Sequence, residues 1–479
     1  MRLDEYARHD ATALAALVRT GEVSPAALAA CAVAAAEAVD PALNALVGPL
    51  EADAPWIPDR PFSGVPVLSK SGHARAGGPL GAGSRLLAGL TAPADDVFSA
   101  RIRAAGIAFV GATTAPEFGL YAVTESRLHG ATRNPWDPAR SPGGSSGGAS
   151  AAVAAGIVPV ATSGDGGGSI RTPAHCTGVF GLKPSRGRTP FEANHFFNLS
   201  VNHVTTRTVR DSAAFLDATA GPHPGARYLI PPPARPFAAE AGADPGRLRI
   251  GVATALPGFA EADAACADAT RRTAALLAEL GHEVVEAAPA VPWTGFFDAF
   301  LRAWTHSLPW SIARIAQTTG RIADPSLLED MTVRYRRHGE GVSIADLLDA
   351  DQVFRAASRA VDDYFAGFDI WLTPTAVAAA PRIGAFDPSG TAESAVDYSL
   401  RVLRDYSAFT PLLNVTGHPA ASVPAGHGPD GLPIGVQLVG RAGGEAELLR
   451  VCAQLEAARP WTGRTPPIWA GSATTGSRA

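Results

Sequence analysis

Basic clusters, paired cysteines and long apolar segments are all scarce in this chain, and each scarcity removes a class of function. No run of lysine and arginine stands out, and the formal net charge is −5. The electrostatic footprint of a nucleic-acid or anionic-lipid binder is therefore missing. There are only four cysteines, Cys31, Cys176, Cys266 and Cys452, too widely separated for a CxxC redox pair or a zinc quartet. We expect them reduced, buried and inert. None of the twelve histidines forms an HExxH pair, and His9, His129, His195, His203, His306 and His418 are scattered, so no metal and no cofactor are expected. The opening residues MRLDEYARHD carry acids where a secretory signal needs a basic stretch before an apolar one. No uninterrupted apolar run reaches membrane-spanning length, and no internal repeat is present. The expectation is a cytoplasmic protein whose partner is a small molecule, with neither nucleic acid nor membrane involved.

What the chain does have is a large apolar fraction, 46% of its 479 residues, and one dense cluster of glycine and serine. Between Gly143 and Pro173 two serine-bearing, glycine-rich turns, at Ser145 and Ser169, stand twenty-four residues apart. In isolation a Gly/Ser run is a flexible linker. Here the stretch between the turns has helical composition followed by a short buried-strand pattern, neither of which belongs in a linker. Glycine loses more conformational entropy on folding than other residues, so paired turns of this kind point to close backbone approach to a bound group. Lys70, in GVPVLSKSG, supplies a candidate base upstream.

These three elements, in this order and spacing, resemble the amidase signature family. The resemblance rests on GVPVLSKSG, on residues 132–188 from TRNPWDPARSPGGSSGG through SGDGGGSIRTPAHCTGVFGLKPSRGR, and on NVTGHPAASVPAGHGPDGLPIGVQLVGR near the C-terminus. PEFGLYAVTES and VTTRTVRDSAA are similar to the branch containing 6-aminohexanoate cyclic-dimer hydrolases. The resemblance implies an α/β fold, one large mixed twisted sheet flanked by helices on both faces, with residues 1–470 as a single amidase domain and 471–479 as a disordered tail. It implies a nucleophile at Ser169, a bridging serine at Ser145 held in a cis peptide with Ser146, and a basic lysine at Lys70. A serine hydroxyl is a poor nucleophile until a positioned base accepts its proton, and lysine is such a base only when its amine is kept neutral. Backbone N–H groups of Gly166, Gly167, Gly168 and Ser169 are suited to an oxyanion. Gly119 and Leu120 are expected at the substrate pocket, and Ser146, Asp165 and Arg171 as supporting residues.

The chain departs from the family pattern at Ser71, where an acidic residue often follows the lysine, at Ser163 and Gly164, and at Gly166, where a larger residue is frequent. The implied reaction is hydrolysis of a small linear or cyclic amide through an acyl-enzyme, and a homodimer is compatible with it. Two alternatives stand beside it: the glutaminase subunit of a tRNA-dependent amidotransferase, and a catalytically silent interaction scaffold.

Elsewhere, Ala11–Arg19 reads as an amphipathic helix, with Ser24 and Pro25 as N-cap and first residue of the next. Residues 247–253, 262–280 and 282–287 read as a strand–helix–strand unit after a proline-rich connector at 231–236. Residues 368–374 and 433–439 read as buried strands. The region 293–363 is mostly helical, and of its rings Trp293, Phe296, Phe297, Phe300, Trp304 and Trp310, most are expected to pack helices and one or two to line the acyl pocket.

Overall fold

The structure, a computed structural model, describes residues 1–192 and 197–472. His195 and residues 473–479 of the expected tail lie outside the described residues, while Gly471 and Ser472 sit in a short 3-10 turn.

Ten strands form one sheet: β1 (Pro66–Lys70), β2 (Ala108–Thr113), β3 (Val160–Asp165), β4 (Phe180–Lys183), β5 (Val201–Thr206), β6 (Arg249–Val252), β7 (Glu283–Glu286), β8 (Ile370–Pro374), β9 (Ala420–His427) and β10 (Pro433–Val439). Their spatial order is β7-β6-β8-β10-β9-β4-β5-β3-β1-β2. Parallel pairs lie at both ends, β1 with β2 and β3, and β6 with β7 and β8, and antiparallel pairs join them through the middle. All seven residues of β10 are buried. Successive side chains of a strand point to opposite faces, so complete burial means both faces are covered, as the expected α/β architecture requires.

The local expectations hold where the sequence carries capping or periodicity signals. The helix Ala11–Arg19 is capped by Asp10, and Pro25–Leu43 begins where Ser24 Oγ accepts from the Ala27 N–H at 3.2 Å. Strands Arg249–Val252 and Glu283–Glu286 pair in parallel around the helix Ala264–Glu279. The region 293–363 folds into the helices Phe296–Thr305, Leu308–Thr319, Asp330–Glu340 and Ile344–Phe365. One finding departs from expectation. The helix Pro25–Leu43 is long and apolar enough to cross a membrane by length and composition. Its alanines carry that hydropathy although Glu37 and Asp40 interrupt the run. In this fold Leu28, Ala32, Ala35, Val39 and Leu43 join the core beneath β1 and β2.

Candidate active site

Lys70 ends β1, and parallel neighbours on both sides hold its backbone in place. Its N–H donates to Thr162 Oγ1 on β3 at 2.8 Å. From there the side chain runs inward, and Nζ lies at hydrogen-bond distance from both serine hydroxyls, 2.8 Å from Ser145 Oγ and 2.9 Å from Ser146 Oγ. The ammonium form is expensive in so dry a place. Burial pushes the Lys70 amine down to about 7, and the Asp165 carboxylate pulls in the opposite direction. Ser71, the departure beside Lys70, brings no charge, so the carboxylate acting on the lysine is Asp165 and not a sequence neighbour.

Ser145 and Ser146 precede the helix Gly147–Ala154, whose eight residues are all buried. The cis peptide joins Gly144 to Ser145, which corrects the expectation of a cis bond between Ser145 and Ser146. The turn is close-packed: a Cβ on Gly144 would stand 2.7 Å from the backbone N, C and O of Val123, so no side chain fits there. Ser146 is bound on two sides, its hydroxyl donating to Gly164 O and accepting from Gly164 N–H, each at 3.3 Å.

Ser169 lies between β3 and the helix Arg171–Thr177. Its carbonyl accepts the Ser146 N–H at 3.2 Å, which ties the two serine turns together. Asp165 and Arg171 form a fully buried, bidentate pair, Nε to Oδ2 and Nη2 to Oδ1 at 2.9 Å each. The same carboxylate accepts the N–H groups of Gly168 at 2.8 Å and Ile170 at 3.1 Å. This shapes the loop, and it also occupies Gly168: of the four N–H groups expected to face an oxyanion, that one is already spent on Asp165. The Asp165 carboxyl is held well below its ordinary range by Arg171, with Lys183 and Asn414 adding to the effect against burial.

Sequence reasoning missed the residues that complete this frame. Arg171 Nη1 reaches Gln437 Oε1 at 2.7 Å and Thr410 O at 3.0 Å, and Nη2 reaches Asn414 Oδ1 at 2.6 Å. Asn414 Nδ2 donates back to Asp165 O and Oδ1, both at 2.9 Å. Both side chains lie in the third block that carried the resemblance, but nothing local marks them as partners of Arg171. Lys183 had a visible signal, since it and Lys70 are the only lysines among 40 basic residues. It is buried near Arg171, its Nζ donating to Pro184 O at 3.0 Å, and burial holds its pKa well below the ordinary lysine value.

A cavity of about 580 Å³ opens over Lys70, Ser145 and Ser169, with Gly119 and Leu120 on its wall as expected. Ser169 also borders a second, smaller cavity of about 70 Å³. Among the aromatic residues of 293–363, Phe300 and Trp304 reach these spaces. Trp293, Phe296 and Phe297 pack within the core, and Trp310 is 48% exposed.

Comparison with known proteins places the arrangement in context. The Amidase family model matches residues 15–449. The 6-aminohexanoate-cyclic-dimer hydrolase of Paenarthrobacter ureafaciens is 39% identical, the alignment covering 96% of each chain. The solved structure of a 6-aminohexanoate cyclic dimer hydrolase complexed with substrate superposes with a TM-score of 0.88 at 34% identity, covering 96% of this chain and 99% of that one. A bacterial aryl acylamidase of the amidase signature family superposes with a TM-score of 0.84 at 25% identity over 95% and 97% of the two chains.

Proposed function

This chain belongs to the amidase family and hydrolyses carbon–nitrogen bonds of amides, and we propose that it does so with Ser169 as nucleophile, Ser145 as proton bridge and Lys70 as base. The observation that carries this reading is the buried contact of 2.8 Å between Lys70 Nζ and Ser145 Oγ, in a place that depresses the lysine to about 7. A neutral amine has two N–H donors and one lone pair. Ser146 gives its own proton to Gly164 O and so accepts from Nζ, which leaves Ser145 as the hydroxyl whose proton faces the lone pair.

Ser169 Oγ attacks the amide carbon, its proton moves to Ser145, and the Ser145 proton moves to Lys70 Nζ. The carbonyl π electrons collect on oxygen, where we assign the N–H groups of Gly166, Gly167 and Ser169 as donors, since none of these is among the loop bonds to Asp165. Lys70, now an ammonium, returns a proton through Ser145 to the amine nitrogen. The C–N bond breaks, and the acyl group remains as an ester on Ser169. Water then attacks along the same proton path and releases the acid. Asp165, Arg171 and Ser146 hold this geometry without exchanging bonds with substrate.

The substrate class is a small uncharged amide, linear or cyclic. The cyclic-dimer hydrolases support including the uncharged 6-aminohexanoate cyclic dimer among the candidates. The sheet takes strands from residue 66 to residue 439, which supports treating residues 1–470 as one catalytic unit; a cytoplasmic location without nucleic-acid or membrane partners fits its charge. The test is incubation of the protein, beside Ser169→Ala, with primary amides, anilides, linear and cyclic aminohexanoate oligomers and glutamine, with products read by mass spectrometry. Turnover that depends on Ser169 supports the reading. Equal turnover by the variant removes Ser169 from the mechanism, and cleavage of glutamine alone replaces the substrate class.

A further inference from the structure

Leu120, Trp304 and Ser169 each border both cavities described above, and of the three Trp304 carries the largest side chain. Trp304 stands one helical turn after Phe300 on Phe296–Thr305, and the two rings stack with centroids 5.7 Å apart and planes 19° from parallel. Together they roof the nucleophile loop. A Cβ on Gly166 would lie 3.0 Å from Trp304 Cη2 and Cζ3, and a Cβ on Gly167 would lie 3.3 Å from Phe300 Cζ. The loop is bare at Gly166 because the Ser200 hydroxyl, 2.6 Å from such a Cβ, and the indole together occupy the space that a side chain would take.

The two spaces that meet at this indole differ in chemistry. The smaller is walled by Tyr121, Leu301, Tyr335, Tyr398, Val402 and Leu403, and among the described residues no charged side chain borders it. At about 70 Å³ against about 580 Å³ it is much the smaller of the two. Lys70 and Ser145 border only the larger space, together with His73, Asp96 and Asn202.

We propose that Trp304 is a specificity-determining partition that confines the acyl portion of the substrate to the smaller, uncharged cavity and assigns the amine portion to the larger one. The inference rests on the proton path proposed above: the Lys70–Ser145 path must reach the leaving nitrogen, so the amine lies on its side of Ser169 and the acyl chain lies on the other. For an open-chain amide, whose two portions separate on cleavage, the acyl group is then short, unbranched and uncharged. A carboxylate on the acyl chain meets no counter-charge there and loses its hydration on entry.

The test compares kcat/KM for the anilides of hexanoate, 2-ethylhexanoate and adipate (ω-carboxylate free), and for hexanoyl amides of aniline and 1-naphthylamine, in the native protein, Trp304→Phe and Trp304→Ala. Circular dichroism checks each variant's fold. The native protein prefers hexanoyl over 2-ethylhexanoyl and over the adipate monoanilide by at least about 50-fold. Trp304→Ala lowers the hexanoyl-to-2-ethylhexanoyl ratio at least tenfold, Trp304→Phe lowers it by a smaller factor, and the aniline-to-naphthylamine ratio stays within threefold. If Trp304→Ala does not fold, the Phe variant decides. An unchanged acyl ratio in the folded variants, or a change confined to the amine series, overturns the proposal. Hydrolysis that persists in Ser169→Ala would instead sink the mechanism on which it rests while leaving the partition measurement readable.

Discussion

The pH dependence of catalysis is the sharpest consequence of burying Lys70. The lysine accepts a proton only in its neutral form, and burial lowers its pKa from 10.5 to about 7. With that value about half of the molecules hold a neutral lysine at pH 7, about 9% at pH 6 and about 1% at pH 5. The log of kcat/KM for an uncharged amide should therefore rise with unit slope up to about pH 7 and level off above it, whereas a carboxylate base with a lowered pKa would already give a flat profile over this range. Folding is linked to the same shift. The unfolded chain holds the Lys70 proton up to about pH 10.5 and the native chain releases it near 7, so between these values the unfolded state binds more protons and stability gains with rising pH. Between pH 7 and pH 9 this one group's penalty shrinks from about 4 to about 2 kcal/mol, at about 1.36 kcal/mol per pKa unit. Lys70→Met removes both effects. The assay is a pH–rate profile on hexananilide, beside urea unfolding of native protein and Lys70→Met at pH 7 and pH 9. A rate that is flat from pH 5 to pH 8, or a stability difference between the two proteins that does not move with pH, would refute the assignment of Lys70 as a buried neutral base.

Other outcomes follow from the same contacts. Ser169→Ala should lower kcat by at least about 10³-fold, measured by single-turnover hydrolysis, with the thermal midpoint little changed. Arg171→Met leaves the Asp165 carboxylate buried without its cation and should cost about 3–5 kcal/mol, read as a lower urea midpoint; an unchanged midpoint would mean that Asn414 and the loop N–H groups suffice. Gly144→Ala drives a Cβ into the Val123 backbone and should abolish activity or soluble expression, whereas a fully active variant would show that this turn has room to shift. All four cysteines are free and buried, and burial pushes Cys176 up to about 12. A thiol reagent such as Ellman's should therefore label less than one thiol per native chain and four after denaturation.

How much of the site was legible follows from how far apart its parts stand in the chain. Lys70, Ser145 and Ser169 were readable because each lies in a short motif whose composition is costly without a purpose, and because helix and strand patterns between the turns ruled out a linker. Ser146 was named as a supporting residue, but its contact with Lys70 was not foreseen, since two adjacent serines look alike until the turn aims them. Gly168 was grouped with its neighbours as an oxyanion donor, and only the folded loop shows its N–H turned onto Asp165. Asn414 and Gln437 escaped altogether. Gln437 meets Arg171 across 266 residues of sequence, and no periodicity or spacing encodes such a pairing.

The sequence by itself determined much of the secondary structure around the site, the family, the candidate reacting groups and the absence of basic or cysteine-rich motifs, because capping residues, hydrophobic periods and glycine-rich turns act over a few residues. Only the tertiary structure decided that Lys70 is buried where its ammonium form is disfavoured, that Arg171 is clamped from β10 and from the segment before β9, and that Trp304 borders two unlike cavities. Those properties depend on desolvation and on which distant segments the ten-stranded sheet brings together, and both come into being only when the chain closes on itself.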